Sequence, residues 1–176
     1  LTNGTRRVCC STAAGPAFEG ANISCGMRAV SGAIDHVWIE DGVFCYSTID
    51  SAPAIGLCGS GLIELCALLS NADVISESGK LQQSPLLGDR IALMQDGSQA
   101  FRVTDDGSVL LSQRDVRELQ LGKAAMRAGI EVLLKALHIN AGDVKQTLLA
   151  GAFGAHLSAK ALCDIGLLPR ELLGSV

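Results

Sequence analysis

Apolar and polar residues alternate in short runs along this chain, and each run is separated from the next by turn-forming residues. Three turns, Asn3-Gly4, Asp41-Gly42 and Asp105–Gly107, predict hairpins, the second with a two-residue type I′ turn. Trp38 and Tyr46 lie on the second hairpin and are expected to pack on its sheet. The predicted strands are Thr5–Ser11, with Arg7–Cys10 as its core, His36–Glu40, Val43–Ser47, Ala100–Thr104, Ser108–Leu111 and a buried strand, Gln146–Ala150.

Other runs carry apolar residues at helical spacing, which predicts three helices. Ser60 is the expected N-cap of the first helix. Ser112 begins the longest one, where Asp115 completes a capping-box signature. Glu131 and Lys135 form an i,i+4 pair on its expected solvent face. The predicted helices are Gly59–Asn71, Ser112–Leu137 and Ser158–Ile165.

Hairpins followed by alternating helices and strands predict a mixed α/β domain, with a mixed sheet flanked by helices. Phe18–Arg28 is expected to hold a short helix or turn that ends near Gly26. Asn71–Asp89 is polar and is expected to be a loop with at most one short turn.

Composition narrows the classes of protein that fit. A chain of 176 residues with 48% hydrophobic content and a formal charge of −4 can bury a core, and one domain is expected. Without a basic run it offers no electrostatic attraction for nucleic acid or an anionic membrane. No apolar run reaches the ~20 residues of a membrane span. Nothing resembles a signal peptide, so a cytoplasmic location is expected.

The seven cysteines argue against both a metal site and a disulfide framework. Their number is odd and no C-x-x-C pair occurs, which is unlike zinc or iron–sulfur spacing. Reduced, buried thiols in a cytosolic or anaerobic protein are the expected state. Cys58 precedes a predicted helix, where a thiol pKa can fall, but a small buried thiol is the preferred interpretation.

Two glycine-rich stretches have the properties that an anion site needs. Residues 11–15 are all small, and Gly59–Gly61 begins a helix, so backbone N–H groups in either place can face a phosphate. Neither stretch is a P-loop, because no Gly-Lys-Ser/Thr follows. From the residues alone, a tightly packed strand-to-helix turn is the preferred interpretation of both stretches. No serine or histidine lies in a triad motif.

A family resemblance changes this balance. It rests on four stretches in a fixed order: STAAGPAFEGANISCGMRA from Ser11 followed by GAI, GLCGSGLIELCALL from Gly56, RDVRELQLGKAAMRAGIEVLLK from Arg114, and LLAGAFGAHL from Leu148. Together they resemble the C-terminal domain of the reductive activators of corrinoid-dependent methyltransferases. These proteins belong to the actin-like, sugar-kinase and heat-shock-chaperone ATPase superfamily (ASKHA). The resemblance implies a ribonuclease-H-like, actin-like fold, incomplete here at both ends.

The resemblance also implies which residues bind a nucleotide. Leu148–Gly154 resembles the adenosine motif of the superfamily, in which glycines let a flat ring lie against backbone. Ser11 and Thr12 are candidates for contact with the partner or with cobalt. His156 follows the motif and could reach the ligand, although an exposed loop histidine is the commoner case. Glu19 could position water or magnesium, or it could bond to neighbouring N–H groups, which is the preferred interpretation. The implied nucleotide-binding residues are Gly15, Glu19, Gly59, Ser60, Gly61, Gln120, Lys123, Gly151 and Gly154.

The function implied by the resemblance is ATP- and Mg²⁺-dependent reduction of inactive cobalt(II) corrinoid proteins to cobalt(I). The partner is the corrinoid protein of a methyltransferase system, and a homodimer is possible. The electron would come from a separate ferredoxin-like domain, and an iron–sulfur cluster is expected only there.

The chain is expected to be a fragment. Asn3-Gly4 calls for a strand upstream, and the family places a strand and an Asp-Ile-Gly-Thr-Asn phosphate loop there and continues beyond Val176. We therefore expect the isolated chain neither to hydrolyse ATP efficiently nor to transfer electrons, and substantial steady-state ATPase activity would contradict this.

Two alternatives stay open at this point. One is an ATPase activator of a 2-hydroxyacyl-CoA dehydratase, which shares the superfamily but uses an iron–sulfur cluster bridged between subunits. The other is a non-enzymatic module that binds a corrinoid protein without a nucleotide.

Overall fold

The computed structural model describes residues 1–151 and 154–176. Within these ranges it contains two small sheets and three α-helices. The strands are β1 (Ala33–Glu40), β2 (Val43–Thr48), β3 (Gly56–Leu57), β4 (Ile91–Leu93), β5 (Gln99–Arg102) and β6 (Leu110–Ser112). The helices are α1 (Gly59–Asn71), α2 (Gln113–Leu137) and α3 (Ala159–Asp164).

The first sheet has the order β2-β1-β3, with β1 antiparallel to β2 and parallel to β3. Its hairpin confirms the prediction, since Asp41 (φ 50°) and Gly42 (φ 80°) both adopt the left-handed conformation that a type I′ turn requires. The register opposes Trp38 to Cys45 and Val37 to Tyr46. Trp38 is half-buried on the sheet, as expected, whereas Tyr46 is exposed at the edge strand.

The second sheet is antiparallel, in the order β4-β5-β6. The hairpin predicted here is confirmed, and its ladder continues past β5 because Val103 N–H donates to Val109 O (2.9 Å). β4 was missed by the sequence reasoning. Phe101 of β5 is fully buried and meets Phe44 of β2 edge to face at 5.4 Å between ring centroids. The two sheets therefore share one core, which α1 also enters.

All three predicted helices are present with nearly the predicted bounds. Ser112 and Asp115 form the predicted capping box of α2. The N-cap of α1 was wrong, because Cys58 occupies that position. The expected pair of Glu131 with Lys135 was also wrong, because Glu131 accepts instead from Arg127 (2.8 Å), one turn earlier.

Two strand predictions were wrong. Thr5–Ser11 forms only an isolated bridge, between Thr2 and Arg7. Gln146–Ala150 forms no strand and is not buried: Leu148 is 77% exposed, and the segment is attached through Thr147 N–H, which donates to Ser175 O (2.6 Å). Apolar sequence favours a strand only where a neighbouring strand can pair with it, and the described residues place none beside either segment.

The remaining segments are irregular and tightly held. A 3₁₀ turn at Ala17–Glu19 overlaps the start of the predicted range Phe18–Arg28, and Gly26 bridges to Leu57 rather than ending a helix. Asn71–Asp89 is the predicted loop, although it buries Leu81 and Leu87. In the described part of the chain, no helix is both long and apolar enough to cross a bilayer.

Candidate functional site

The small-residue segment near the amino end lies against one face of α2. A Cβ at Gly129 would lie 2.4 Å from Thr12 Cγ2, and a Cβ at Gly122 would lie 2.8 Å from Ala14 O and from Phe18 Cε2. The two glycines are seven residues apart and share one helix face. They therefore form the surface on which residues 10–18 rest.

A buried carboxylate on α2 holds the loop that follows the small-residue segment. Asp115 is 0% exposed and accepts four hydrogen bonds. Its Oδ1 accepts from Ser24 N–H (2.7 Å) and Ser24 Oγ (3.0 Å), and its Oδ2 accepts from Ser112 N–H (2.8 Å) and Ser112 Oγ (2.7 Å). The capping residue of α2 thus also holds the loop that follows Glu19.

Between this motif, α2 and the segment after Leu148 lies an apolar cavity of about 480 Å³. Four predicted residues line it: Thr12, Gly15, Glu19 and Gly154. Gly15 has φ +68° and a Cβ there would meet no atom within 4 Å, so the backbone is open to the cavity. Its apolar wall comes mainly from Ile63, Met126, Ile130, Leu133, Leu149, Leu157, Leu162, Leu167 and Leu168.

Glu19 also borders a second cavity, of about 510 Å³, which we call the Arg28 cavity. Gly20, Gly26, Arg28 and Gly59 are among its other lining residues. Glu19 and Arg28 are both exposed. This cavity lies at the amino end of α1, where the helix dipole favours an anion.

Gly61, in the first turn of α1, has a packing role. A Cβ at Gly61 would lie 2.1 Å from Ile34 O, so only glycine lets the helix approach β1 this closely. Ser60 is buried, and its Oγ lies 3.3 Å from Cys58 Sγ. Cys58 is buried as well, as predicted, and its thiol donates to Ile34 O (3.3 Å). Of the three residues Gly59–Gly61, only Gly59 borders the Arg28 cavity.

Gln120 and Lys123 lie elsewhere. They line a separate cavity of about 320 Å³, the Lys123 cavity, with Asp73, Glu77 and Asp164. Gln120 Oε1 accepts from Arg117 (2.7 Å). Cys66 also lines this cavity, and burial raises the pKa of its thiol to about 12, with Asp115 acting in the same direction and Lys123 opposing it. The Cys66 thiol is therefore neutral and not a nucleophile near pH 7.

The predicted adenosine motif is described in part. Gly151 is exposed with φ +96°, Gly154 is half-buried and His156 is exposed. Ala152 and Phe153, between the two glycines, lie outside the described residues. Ser11 is exposed and is not among the residues that line the apolar cavity.

Comparison with known families decides the assignment. Residues 1–175 match the family model described as the C-terminal domain of RACo, the ASKHA domain. The chain belongs to this family. The resemblance found in the sequence and the mixed α/β, ASKHA-type fold are thereby confirmed.

Two proteins with sequences similar to this ASKHA domain are named for their action on corrinoid proteins. It is 33% identical over 171 residues to the corrinoid activation enzyme RamQ of Eubacterium limosum, across 91% of this chain and 29% of RamQ. It is 27% identical over 192 residues to the [Co(II) methylated amine-specific corrinoid protein] reductase of Methanosarcina barkeri, across 96% of this chain and 32% of the reductase.

A solved structure agrees. The reductive activator for corrinoid,iron-sulfur protein superposes with a TM-score of 0.79 and 35% identity, across 93% of this chain and 27% of that one. The ASKHA domain thus spans about three tenths of the length of the proteins it matches.

Sequence reasoning missed the residues that hold the small-residue segment and the Ser24 loop in place. Gly122 and Gly129 were not singled out, although two helix glycines at a spacing of seven indicate a close approach on one face. Asp115 was predicted as a cap, but its bonds to Ser24, 91 residues away, have no local signal.

Proposed function

We propose that this ASKHA domain is the nucleotide-responsive part of an activator that returns inactive cobalt(II) corrinoid proteins to cobalt(I) at the expense of ATP. One observation carries the proposal: three segments far apart in sequence, all within the family motifs, meet at the apolar cavity. At about 480 Å³, the cavity is within the range of small-molecule sites. Its apolar wall suits a flat base, Gly15 leaves backbone accessible to the ligand, and Gly154 lines the same cavity.

The proposed site therefore comprises Gly15, Glu19 and Gly154 around the nucleoside, with Gly151 beside them. Phosphates would extend along Glu19 toward the Arg28 cavity, where the Arg28 side chain and the amino end of α1 favour negative charge. Gln120 and Lys123 line a different cavity, so in this proposal they do not contact the base.

Magnesium fits this arrangement as a nucleotide-bound ion. Protein-bound Mg²⁺ commonly uses one or two carboxylates together with phosphates and water. Of the described residues that line both cavities, Glu19 is the only one with a carboxylate. In this proposal the electron comes from an iron–sulfur cluster in a separate ferredoxin-like domain.

Such an activator requires thermodynamic linkage between nucleotide binding and binding of the partner. A nucleotide can drive an unfavourable electron transfer only if its binding or turnover changes the affinity for the two redox states of the partner. In this proposal residues 10–18, which rest on Gly122 and Gly129, connect the nucleotide cavity to the partner, because Gly15 lines the cavity and Ser11 and Thr12 are the candidates for contact with the partner.

Calorimetric titration with Mg·ATP tests the nucleotide part of this proposal. We expect Ala150→Trp, at the exposed rim of the apolar cavity, to weaken ATP binding by at least about tenfold, because an indole would fill the entrance. Ala128→Trp, on exposed α2 away from that cavity, is the matched control and should bind as the unchanged chain does.

The same titration is made on a chain extended upstream, to include the phosphate loop that the family resemblance implies. Binding by the extended chain alone would support a cleft completed by that loop. Absence of binding by both chains would exclude the nucleotide role and favour a module that binds only protein. Equal binding by the Ala150→Trp and Ala128→Trp variants would place the nucleotide in another cavity.

A further inference from the structure

Charge is distributed unevenly along this chain. Between Arg28 and Lys80 there is no lysine or arginine. The same stretch builds the first sheet and α1. It contains seven acidic residues: Asp35, Glu40, Asp41, Asp50, Glu64, Asp73 and Glu77. The first sheet and α1 therefore contain acidic but no basic side chains of their own, although the whole chain has a formal charge of only −4.

One face of the β1–β2 hairpin combines this acidic character with an aromatic centre. The register places Trp38 beside Cys45, His36 beside Ser47 and Glu40 beside Val43, and all six side chains share one side of the sheet. We call these six residues the hairpin face. The opposite side carries Val37 and Phe44, which are in the core. Val43 is 59% exposed, and the side chain of His36 is 56% exposed.

Internal contacts fix the side chains of the hairpin face in place. His36 stacks on Trp38 with 5.4 Å between ring centroids, and its Nδ1 contacts the carboxylate of Glu64. Glu64 also accepts from Val37 N–H (3.3 Å), and Trp38 Nε1 donates to Glu40 (3.3 Å). Side chains that are already ordered lose little entropy when a partner binds.

We propose that the hairpin face is a docking site for a positively charged surface of the corrinoid protein. This inference rests on the proposed function and adds the location of the contact. Tryptophan is enriched among residues that dominate binding energy, and here it sits at the centre of the face. Glu40 and Asp41 lie at one end and Asp35 and Asp50 at the other, so a basic partner surface is complementary.

A second copy of the chain fits the hairpin face less well than a basic surface of another protein does. A two-fold interface brings the same patch of both subunits together. The hairpin face contains Glu40 and has Asp35, Asp41 and Asp50 at its ends, so such an interface would bring like charges together, which is unfavourable. The charge pattern therefore favours a basic partner of a different kind.

The test measures binding of the 176-residue chain to the cobamide-loaded corrinoid proteins of its source organism, each expressed separately. We expect Trp38→Ala to lower the affinity at least about tenfold. Glu40→Lys should lower it about fivefold, with most of the change in the association rate and with loss of part of the salt dependence. Circular dichroism verifies that each variant is folded.

Two matched controls change the same chemistry elsewhere. Glu171→Lys reverses an exposed acid in the carboxyl-terminal turn, and Leu121→Ala removes a 67% exposed side chain of α2. Both should bind within about twofold of the unchanged chain. Because Trp38 is the only tryptophan in the chain, 5-fluorotryptophan labelling gives a single ¹⁹F resonance that should shift on binding.

The outcomes separate the two proposals. Binding by the unchanged chain that survives both Trp38→Ala and Glu40→Lys would overturn the docking site and leave the proposed function standing. No binding of the unchanged chain to any of the corrinoid proteins would overturn both. Salt-sensitive self-association that Trp38→Ala abolishes would identify the hairpin face as a contact between copies and would also overturn the docking site.

Discussion

Asp115→Asn is expected to lower the free energy of unfolding by about 3 kcal/mol or more. The native carboxylate is fully buried and accepts from two backbone N–H groups and two hydroxyls. An amide keeps one accepting oxygen but places an NH₂ group against a pair of donors. The N–H of either Ser24 or Ser112 then loses its acceptor and faces the NH₂ group of a fully buried side chain, which is more costly than the loss of an exposed hydrogen bond. Urea unfolding followed by Trp38 fluorescence measures the change.

Asp143→Asn is the matched control for Asp115→Asn. Asp143 forms the same kind of capping box with Asn140, where its Oδ2 accepts from Asn140 N–H (2.8 Å), but it is exposed. Water can replace the lost bond there, so the loss of stability should be much smaller. Equal losses in the two variants would mean that Asp115 acts only as a helix cap and does not anchor the Ser24 loop.

The capping box and the Asp41-Gly42 hairpin were predictable because their signals are local. Ser112 and Asp115 lie three residues apart, and their reciprocal bonds follow from helix geometry alone. Asp41 and Gly42 require only that two adjacent residues accept positive φ. Neither feature depends on what the rest of the chain does.

The two wrong strands and the wrong N-cap show where local signals fail. Gln146–Ala150 has the composition of a buried strand, but a strand also needs a neighbour to pair with. Ser60 has the chemistry of an N-cap, yet close packing of Gly61 on Ile34 begins the helix at Gly59 and leaves the cap position to Cys58. Tertiary packing decided both outcomes.

The glycines of the candidate site were predictable from the sequence, whereas the residues that hold the site in place were not. Motif glycines Gly15 and Gly154 do reach one cavity, whereas Gln120 and Lys123, at helical spacing within the same family string, line another. Which helix face meets which loop depends on contacts such as Gly129 with Thr12, more than a hundred residues apart in sequence. Such contacts leave no periodic pattern to detect.

Gly61→Ala is expected to destabilise the fold by about 2–3 kcal/mol. The added methyl would lie 2.1 Å from the carbonyl oxygen of Ile34 and 2.9 Å from its carbonyl carbon. Backbone atoms cannot move aside by a change of rotamer, so α1 must shift away from β1 and lose contacts that bury Leu62 and Leu65. The gain in helix propensity, about 1 kcal/mol, offsets only part of this loss. Chemical denaturation against the unchanged chain gives the difference.

Gly142→Ala is the control for Gly61→Ala, because a Cβ at Gly142 meets no atom within 4 Å, and it should change stability by less than about 0.5 kcal/mol. The comparison also decides what the glycines of GLCGSG do. If Gly61→Ala is unstable but binds Mg·ATP normally once folded, then this glycine serves the packing of α1 on β1. If it is as stable as the unchanged chain and loses nucleotide affinity, then Gly61 is a ligand contact and the phosphate site extends along α1 beyond Gly59, which would contradict its packing role.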